Sequence, residues 1–236
     1  YGIFAYLVAM ASVAYAIGFV GNLWVPKSID TGVLAPFGEA LAVNVLLLGL
    51  FAVQHSGMAR RGFKKVWTSI IPEPTERSTY VLLSGLLLWL LFWQWRSMTE
   101  EIWHVDNSIG SALLQAVYFL GWGIVLLSTF LISHADLFGL KQVAGHWLGK
   151  EAAAPEFQTP LLYKTVRHPI YLGFLLAFWA TPIMTMGHLL FAVATTGYIL
   201  IGIFLEERDL IATFGETYQQ YRQRVSMLIL WPPRRP

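Results

Sequence analysis

The chain contains no cysteine. That excludes a disulfide framework, a thiolate nucleophile and any cysteine-ligated metal. Charge is scarce as well: Asp, Glu, Lys and Arg make up 13% of the 236 residues, against about 25% in a soluble domain. The net charge is only +2 and the basic residues are scattered over loops, so nucleic acid is not an expected partner. Nucleotide-fold signatures are missing too. There is no G-x-G-x-x-G after a strand and no G-x-x-x-x-G-K-[ST], which excludes Rossmann and P-loop readings. No G-x-S-x-G elbow occurs, and there is no internal repeat or low-complexity tract.

What remains is apolar. Hydrophobic residues make up 56% of the chain, so an all-α integral membrane protein is expected. The length suits one domain, with a four-helix part over 1–133 and a loop, hairpin and C-terminal segment over 134–236. The first residue is Tyr1 rather than Met, so a trimmed native start is expected. The stretch 1–22 lacks a basic n-region and a cleavage motif, and reads as a span rather than a signal peptide.

A helix needs about 20 apolar residues to cross the hydrocarbon core. Charge-free runs fall at 1–25, 41–59, 78–95, 107–133 and 169–205. The last is too long for one span. Pro182 and Gly187 interrupt it, which predicts a tight turn between a short helix near 170–181 and a longer one near 187–205. Five or six helices follow, the short one not necessarily crossing the whole bilayer. If the helices alternate, 14 of the 16 basic residues fall on one side, leaving Lys27 and Arg96 on the other. The positive-inside rule makes the rich side cytoplasmic and places both termini there, as in a bacterial inner membrane. Trp24, Trp67, Trp95, Trp103 and Trp231 sit near span ends, where an interfacial aromatic belt would place them. Residues 145–159 form the least apolar and most loop-like segment.

Polar residues at the mouths of spans are costly and usually functional. Three clusters qualify. The first is Gln54-His55-Ser56. A neutral imidazole there can act as a general base, and the plainer reading is an interfacial His bonded to a backbone carbonyl. The second runs from Ser133 to Gln142. His134 and Asp136 are close enough in sequence to share a hydrogen bond, and Asp136 suits the N-cap of a short helix. Two ligands are too few for zinc, so no metal is expected. Gln142 can point an amide into a pocket.

The third cluster is the richest. RHPIYLG (167–173) opens the hairpin, while EERDL (206–210), FG (214–215), Tyr218 and Tyr221 follow it. A hairpin returns its two ends to one side of the bilayer, so a polar pocket at the membrane surface is expected. Pro169 fits a first helical turn, whose N–H groups and the Arg167 guanidinium suit a carboxylate. Tyr171 offers a stacking face. Glu206 and Glu207 are expected at a helix C-terminus, the wrong end for anions, which calls for cationic partners.

These residues carry a resemblance. RHPIYLG, the hairpin, EERDL, FGETYQQY and Val225 resemble the C-terminal signature of the isoprenylcysteine carboxyl methyltransferase superfamily. FAVQHSGMARRGFKKVWT (51–68), ERSTYV (76–81) and HADLFGLKQV (134–143) resemble its bacterial branch, which contains methanethiol S-methyltransferases and nitrite-reductase-associated membrane proteins. The resemblance implies S-adenosylmethionine as methyl donor, held in a cytoplasm-facing pocket. It implies that His168, Pro169, Tyr171 and Leu172 line that pocket, with Gln142 added, and that Glu206 is an active-site glutamate. Arg167 and Glu207 suit the donor's carboxylate and its cationic groups. A small thiol is the implied acceptor. His55 is the first choice of base for it, followed by Glu206 and His134. No protein partner is implied, only membrane lipids. Other acceptors, such as an isoprenylcysteine carboxylate, stay open. So do a nicotinamide-dependent membrane reductase and a non-catalytic factor for denitrification. One departure is visible: Ser226 stands where the superfamily often has Pro, which leaves the path of the tail open.

Overall fold

The computed structural model describes residues 1–150 and 156–230. Trp231, Arg234 and Arg235, counted above toward the aromatic belt and the basic side, lie outside the described residues, as does part of the 145–159 loop. The order of elements is α1 (Gly2–Gly21), β1 (Val33–Leu34), α2 (Phe37–Ala59), α3 (Arg61–Trp67), α4 (Glu73–Gln94), β2 (Arg96–Ser97) and β3 (Glu101–His104). There follow α5 (Ser108–Ile132), α6 (His134–Leu137), α7 (Leu140–Trp147), α8 (Pro169–Trp179), β4 (Ile183–Thr185), α9 (Met186–Phe214) and α10 (Glu216–Arg224). The architecture is all-α, with two short two-stranded ladders. Among the described residues, α1, α2, α5 and α9 are each long and apolar enough to cross a membrane.

Local chemistry sets the helix limits. Proline and two acids, Glu73 and Glu76, occupy the first turn of α4, where a missing N–H costs little and negative charge suits the dipole. The Asn107 side chain accepts the Gly110 N–H at 2.6 Å and so caps α5. Gly215, with φ 55°, ends α9 and donates its N–H to the Ile211 carbonyl at 2.8 Å.

The hairpin has the short first helix expected of it and differs from expectation in two other ways. At 11 residues, α8 is about 16 Å long and falls well short of a ~30 Å core. The tight turn around Pro182 is instead strand β4, paired antiparallel with β3. Its neighbour Met186 donates its N–H to the Glu100 carbonyl at 2.7 Å, so the chain stays extended before α9 begins. Finally, α9 runs 29 residues and continues past Leu205 to Phe214. Glu206 and Glu207 therefore lie within a helix rather than at its C-terminus, because their charges are met by side chains and the helix need not end there.

The chain divides into two compact units: 1–104 with 135–153 and 183–191, and 105–134 with 154–182 and 192–236. In the first unit α4 packs against both α1 and α2, and α7 lies against α4. Ala9, Met58, Tyr80 and Val81 form part of its core. Trp95 is fully buried there rather than in an interfacial belt, and its indole N–H donates to the Ile29 carbonyl at 3.0 Å. Phe19 and Phe191 face its ring edge-on. Asp30 ties the loops of this unit, accepting from Thr185 Oγ1 at 2.5 Å and from Asn22 Nδ2 at 2.6 Å.

Asn44 on α2 is fully buried, and its amide bonds both backbone groups of Arg96, donating to the oxygen at 2.8 Å and accepting from the nitrogen at 2.9 Å. It thereby sets the start of β2. Asn44→Ala strands a buried N–H and C=O, so it is expected to cost about 2–4 kcal/mol. Thermal unfolding in detergent checks this; an unchanged midpoint would refute it.

In the second unit α5 and α8 form the main helix pair. A Cβ on Gly121 would lie 2.6 Å from the Gly173 carbonyl, and one on Gly173 would lie 2.6 Å from the Gly121 carbonyl. The two backbones touch because neither residue has a side chain.

Candidate active site

The second unit gathers the hairpin cluster. Arg167 and His168 lead into α8, with His168 as N-cap and Pro169 in the first turn. Glu206 and Glu207 come from α9. Glu207 is the meeting point. Its Oε1 accepts from Arg167 Nε at 2.8 Å and lies 3.1 Å from His168 Nε2, while its Oε2 lies 3.7 Å from Arg222 Nη1. Glu206 approaches the other nitrogen of the same imidazole, 3.8 Å from His168 Nδ1. The two acids differ in exposure: the Glu206 side chain is 44% accessible and that of Glu207 only 11%. Glu207 is thus committed to three partners, and Glu206 has a carboxylate to offer. A buried carboxylate keeps its charge only when so surrounded.

Arg167 also fixes the tail. Its Nη1 donates to the carbonyls of Arg222, at 3.1 Å, and Val225. Its backbone N–H donates to the Ser226 carbonyl at 2.8 Å, and the His168 N–H donates to the Met227 carbonyl at 3.2 Å. The tail beyond Val225 therefore runs parallel to residues 166–168, bridging Val166 to Ser226. That settles the path that Ser226 left open. Arg167, Arg222, Gln223, Arg224, Val225, Ser226 and Ile229 line a cleft of about 340 Å³, within the ~300–1,000 Å³ of ligand pockets.

Aromatic rings flank this cluster. Tyr171 lies 5.7 Å from the His168 ring, centroid to centroid. The Phe157 ring contacts Phe214, Tyr218 and Tyr221 at 5.3–5.9 Å. Tyr221 donates its hydroxyl to the Tyr163 carbonyl at 2.6 Å. Burial raises the phenol pKa values of Tyr163, Tyr218 and Tyr221; nearby carboxylates push the same way, and the Arg167 guanidinium opposes them at Tyr218 and Tyr221.

The other expected residues lie elsewhere. In the first unit, His55 stacks on Phe51, ring centroids 5.1 Å apart, and meets Tyr80 and Ser84. Ser84 donates its hydroxyl to the Tyr80 carbonyl at 2.8 Å, which leaves its oxygen to accept from His55 Nδ1 at 3.1 Å. On that assignment His55 Nε2 carries the lone pair and faces the Tyr80 hydroxyl at 2.8 Å. The Arg77 guanidinium lies 4.9 Å from the centre of the Tyr80 ring. Also in this unit, Gln142 Nε2 donates to Asp136 Oδ1 at 2.6 Å, and its Oε1 is buried with no partner among the described residues. Asp136 holds Gln142 rather than capping α7, whose N-cap is Gly139 at φ 82°. His134, in the second unit, stacks on Phe130 and lies 2.9 Å from Thr129 Oγ1.

Comparison with known proteins gives these constellations a setting. No family model and no solved structure matches the chain. Curated relatives do. Methanethiol S-methyltransferase 1 of Bradyrhizobium diazoefficiens is 60% identical over 231 residues, 98% of this chain and 81% of that protein. Methanethiol S-methyltransferase of Mycobacterium tuberculosis is 55% identical over 234 residues, 99% and 96% of the two chains. The chain belongs to the methanethiol S-methyltransferase family. A more distant likeness is to Nurim of Danio rerio, 30% identical to this chain over 179 residues, covering 72% of this chain and 65% of that protein. As a member of the family the protein is a methyltransferase.

In this methanethiol S-methyltransferase family member, three contact-making residues carry no local signal of their partners. Arg222 contacts Glu207 from 15 residues further on, and nothing in its QRQR context marks it. Tyr80 meets His55 across 25 residues; it lies inside ERSTYV, but nothing local marks it as a partner of His55. Tyr163 stands four residues before Arg167, outside the signature, and only the proximity of Arg167 could have drawn attention to it.

Proposed function

We propose that the protein transfers a methyl group from S-adenosylmethionine to methanethiol, giving dimethyl sulfide. The observation that carries this reading is the division of labour within the Glu206–Glu207 pair, in a chain of this family. Glu207 is bound by Arg167, His168 and Arg222, whereas Glu206 is accessible and only 3.8 Å from His168. A free carboxylate beside an organised cationic cluster suits a ligand that is both cationic and zwitterionic.

When bound, S-adenosylmethionine supplies an electrophilic methyl group on a positively charged sulfur. The residues present fit such a group. Glu206 balances the positive charge. Arg167 and the first-turn N–H groups of α8, behind Pro169, suit an amino-acid carboxylate. Tyr171 and Leu172 on α8 contribute an aromatic and an apolar wall, and Glu207 keeps Arg167 and His168 in place. We add Gln142, whose amide is oriented by Asp136, as a further candidate for the donor. A thiol titrates near 8.5, so most of it is protonated at neutral pH and a base speeds its attack. We take His55 as the first candidate for that role, with Glu206 and His134 behind it. The rest of the rate comes from holding sulfur and methyl in line. The excess of basic residues on one set of loops supports a site on the cytoplasmic side of a bacterial inner membrane, with methanethiol reaching it from water or lipid.

The test is dimethyl sulfide in the headspace over purified protein supplied with methanethiol and S-adenosylmethionine. His55→Ala is expected to lower kcat/KM for methanethiol about 10²-fold while donor affinity holds. Glu206→Ala is expected to weaken donor binding. A wild type that binds the donor yet makes no dimethyl sulfide would overturn the acceptor and point to a lipid-soluble thiol or a prenylcysteine carboxylate. A wild type that binds no donor would overturn the whole reading.

A further inference from the structure

Tyr163 and Tyr218 are both buried, 8% and 2% exposed. The phenol oxygen of each is sealed from solvent with no hydrogen-bond partner among the described residues. Such orphans are rare in folded proteins and call for an explanation. Here two occur in one cluster. Both flank Tyr221, which hydrogen-bonds the Tyr163 carbonyl and packs 5.8 Å from the Tyr218 ring. Phe157 packs edge-on against both rings, 5.3 Å from Tyr221 and 5.9 Å from Tyr218, so Tyr218 and Tyr221 belong to one aromatic cluster. The charged cluster is close by: Glu206 acts on both phenols, and Glu207 and Arg167 act on Tyr218. Burial and those carboxylates keep both phenols protonated well above neutral pH, so each retains a proton to donate.

Three explanations compete. The first is a merely structural role, but a tyrosine used only for packing gains nothing from a buried hydroxyl, and Phe would serve as well. A metal is the second, and it is poorly served by neutral phenols. The third is a ligand that brings acceptors of its own. Two phenol donors at an aromatic cluster match a nucleoside, which presents ring nitrogens and ribose oxygens at its edge and a flat face for aromatic contact.

We infer that Tyr163 and Tyr218 bind the adenosine part of the methyl donor, their hydroxyls donating to its ring nitrogens or ribose oxygens, with Phe157 and Tyr221 as its aromatic contacts. The assignment rests on the donor proposed above and adds residues to it: Arg167 and Glu206 take the charged tail, and the tyrosines take the neutral nucleoside.

Tyr163→Phe and Tyr218→Phe remove only the oxygens. Binding of S-adenosylmethionine and of 5′-methylthioadenosine, which lacks the amino-acid tail, is measured by titration calorimetry, together with the unfolding temperature of ligand-free protein. Each variant is expected to weaken both ligands about tenfold, equivalent to about 1.4 kcal/mol. Ligand-free unfolding temperature is expected to stay level or rise, because an unsatisfied hydroxyl has been removed. Affinity for both ligands within twofold of wild type would overturn the inference, as would a lower unfolding temperature with unchanged affinity. Loss of S-adenosylmethionine affinity alone, with methylthioadenosine unaffected, would overturn the adenosine assignment. If wild type binds methylthioadenosine but not S-adenosylmethionine, the donor reading fails, and this assignment fails with it.

Discussion

Glu207→Ala is expected to disorganise the start of α8 and the tail together, whereas Glu206→Ala, one residue away, should leave the fold intact. Glu207 holds Arg167, His168 and Arg222, and its side chain is only 11% accessible. Its removal leaves the Arg167 guanidinium enclosed without its carboxylate. Breaking a buried pair from one side costs about 3–5 kcal/mol, because an uncompensated charge remains. The damage should spread through Arg167, which also bonds the carbonyls of Arg222 and Val225. Glu206 is 44% accessible with one long contact at 3.8 Å, so its loss should cost under about 1 kcal/mol of stability. Unfolding of both variants in detergent, with proteolysis of the C-terminal segment as a second readout, separates the two acids. Equal unfolding temperatures for the pair would contradict the division of labour drawn here.

Gly173→Ala should be the most damaging single-methyl change in the second unit. The new Cβ would meet the Gly121 carbonyl at 2.6 Å, Val125 Cγ2 at 2.8 Å and the Val125 nitrogen at 2.9 Å. Two of those three are backbone atoms, which cannot swing aside as the end of a side chain would. Accommodation means prising α5 from α8, at about 3 kcal/mol or more. Gly121→Ala should behave alike, since its Cβ would lie 2.6 Å from the Gly173 carbonyl and 2.7 Å from the Ala177 nitrogen. Gly123→Ala is the control: it sits on the same helix, its Cβ meets nothing within 4 Å, and alanine favours the helix. Yield of folded protein and unfolding temperature check the set. A Gly173→Ala protein as stable as the Gly123→Ala protein would refute the tight seam. The glycine of RHPIYLG is therefore explained by helix packing rather than by chemistry.

The sequence alone determined the class of fold. Apolar runs are local, and lipid leaves helices as the way to satisfy their backbone, so α1, α2, α5 and α9 could be placed from hydropathy. It also determined that the residues of RHPIYLG and EERDL meet, because a short apolar hairpin must return near its start; the contacts of Arg167 and His168 with Glu207 bear this out. Tertiary structure decided what local pattern does not encode. The end of α9 lies beyond the apolar run because, although charges normally stop a span, here Arg167, His168 and Arg222 compensate them and let the helix run on. Tryptophan at a span end is often interfacial, yet Phe19, Ile29 and Phe191 enclose Trp95. Which of two adjacent glutamates is bound and which is accessible depends on their directions around a helix and on partners up to 40 residues away. The orphaned hydroxyls of Tyr163 and Tyr218 are likewise invisible in sequence, because a missing hydrogen bond is a property of three-dimensional surroundings and not of residue type.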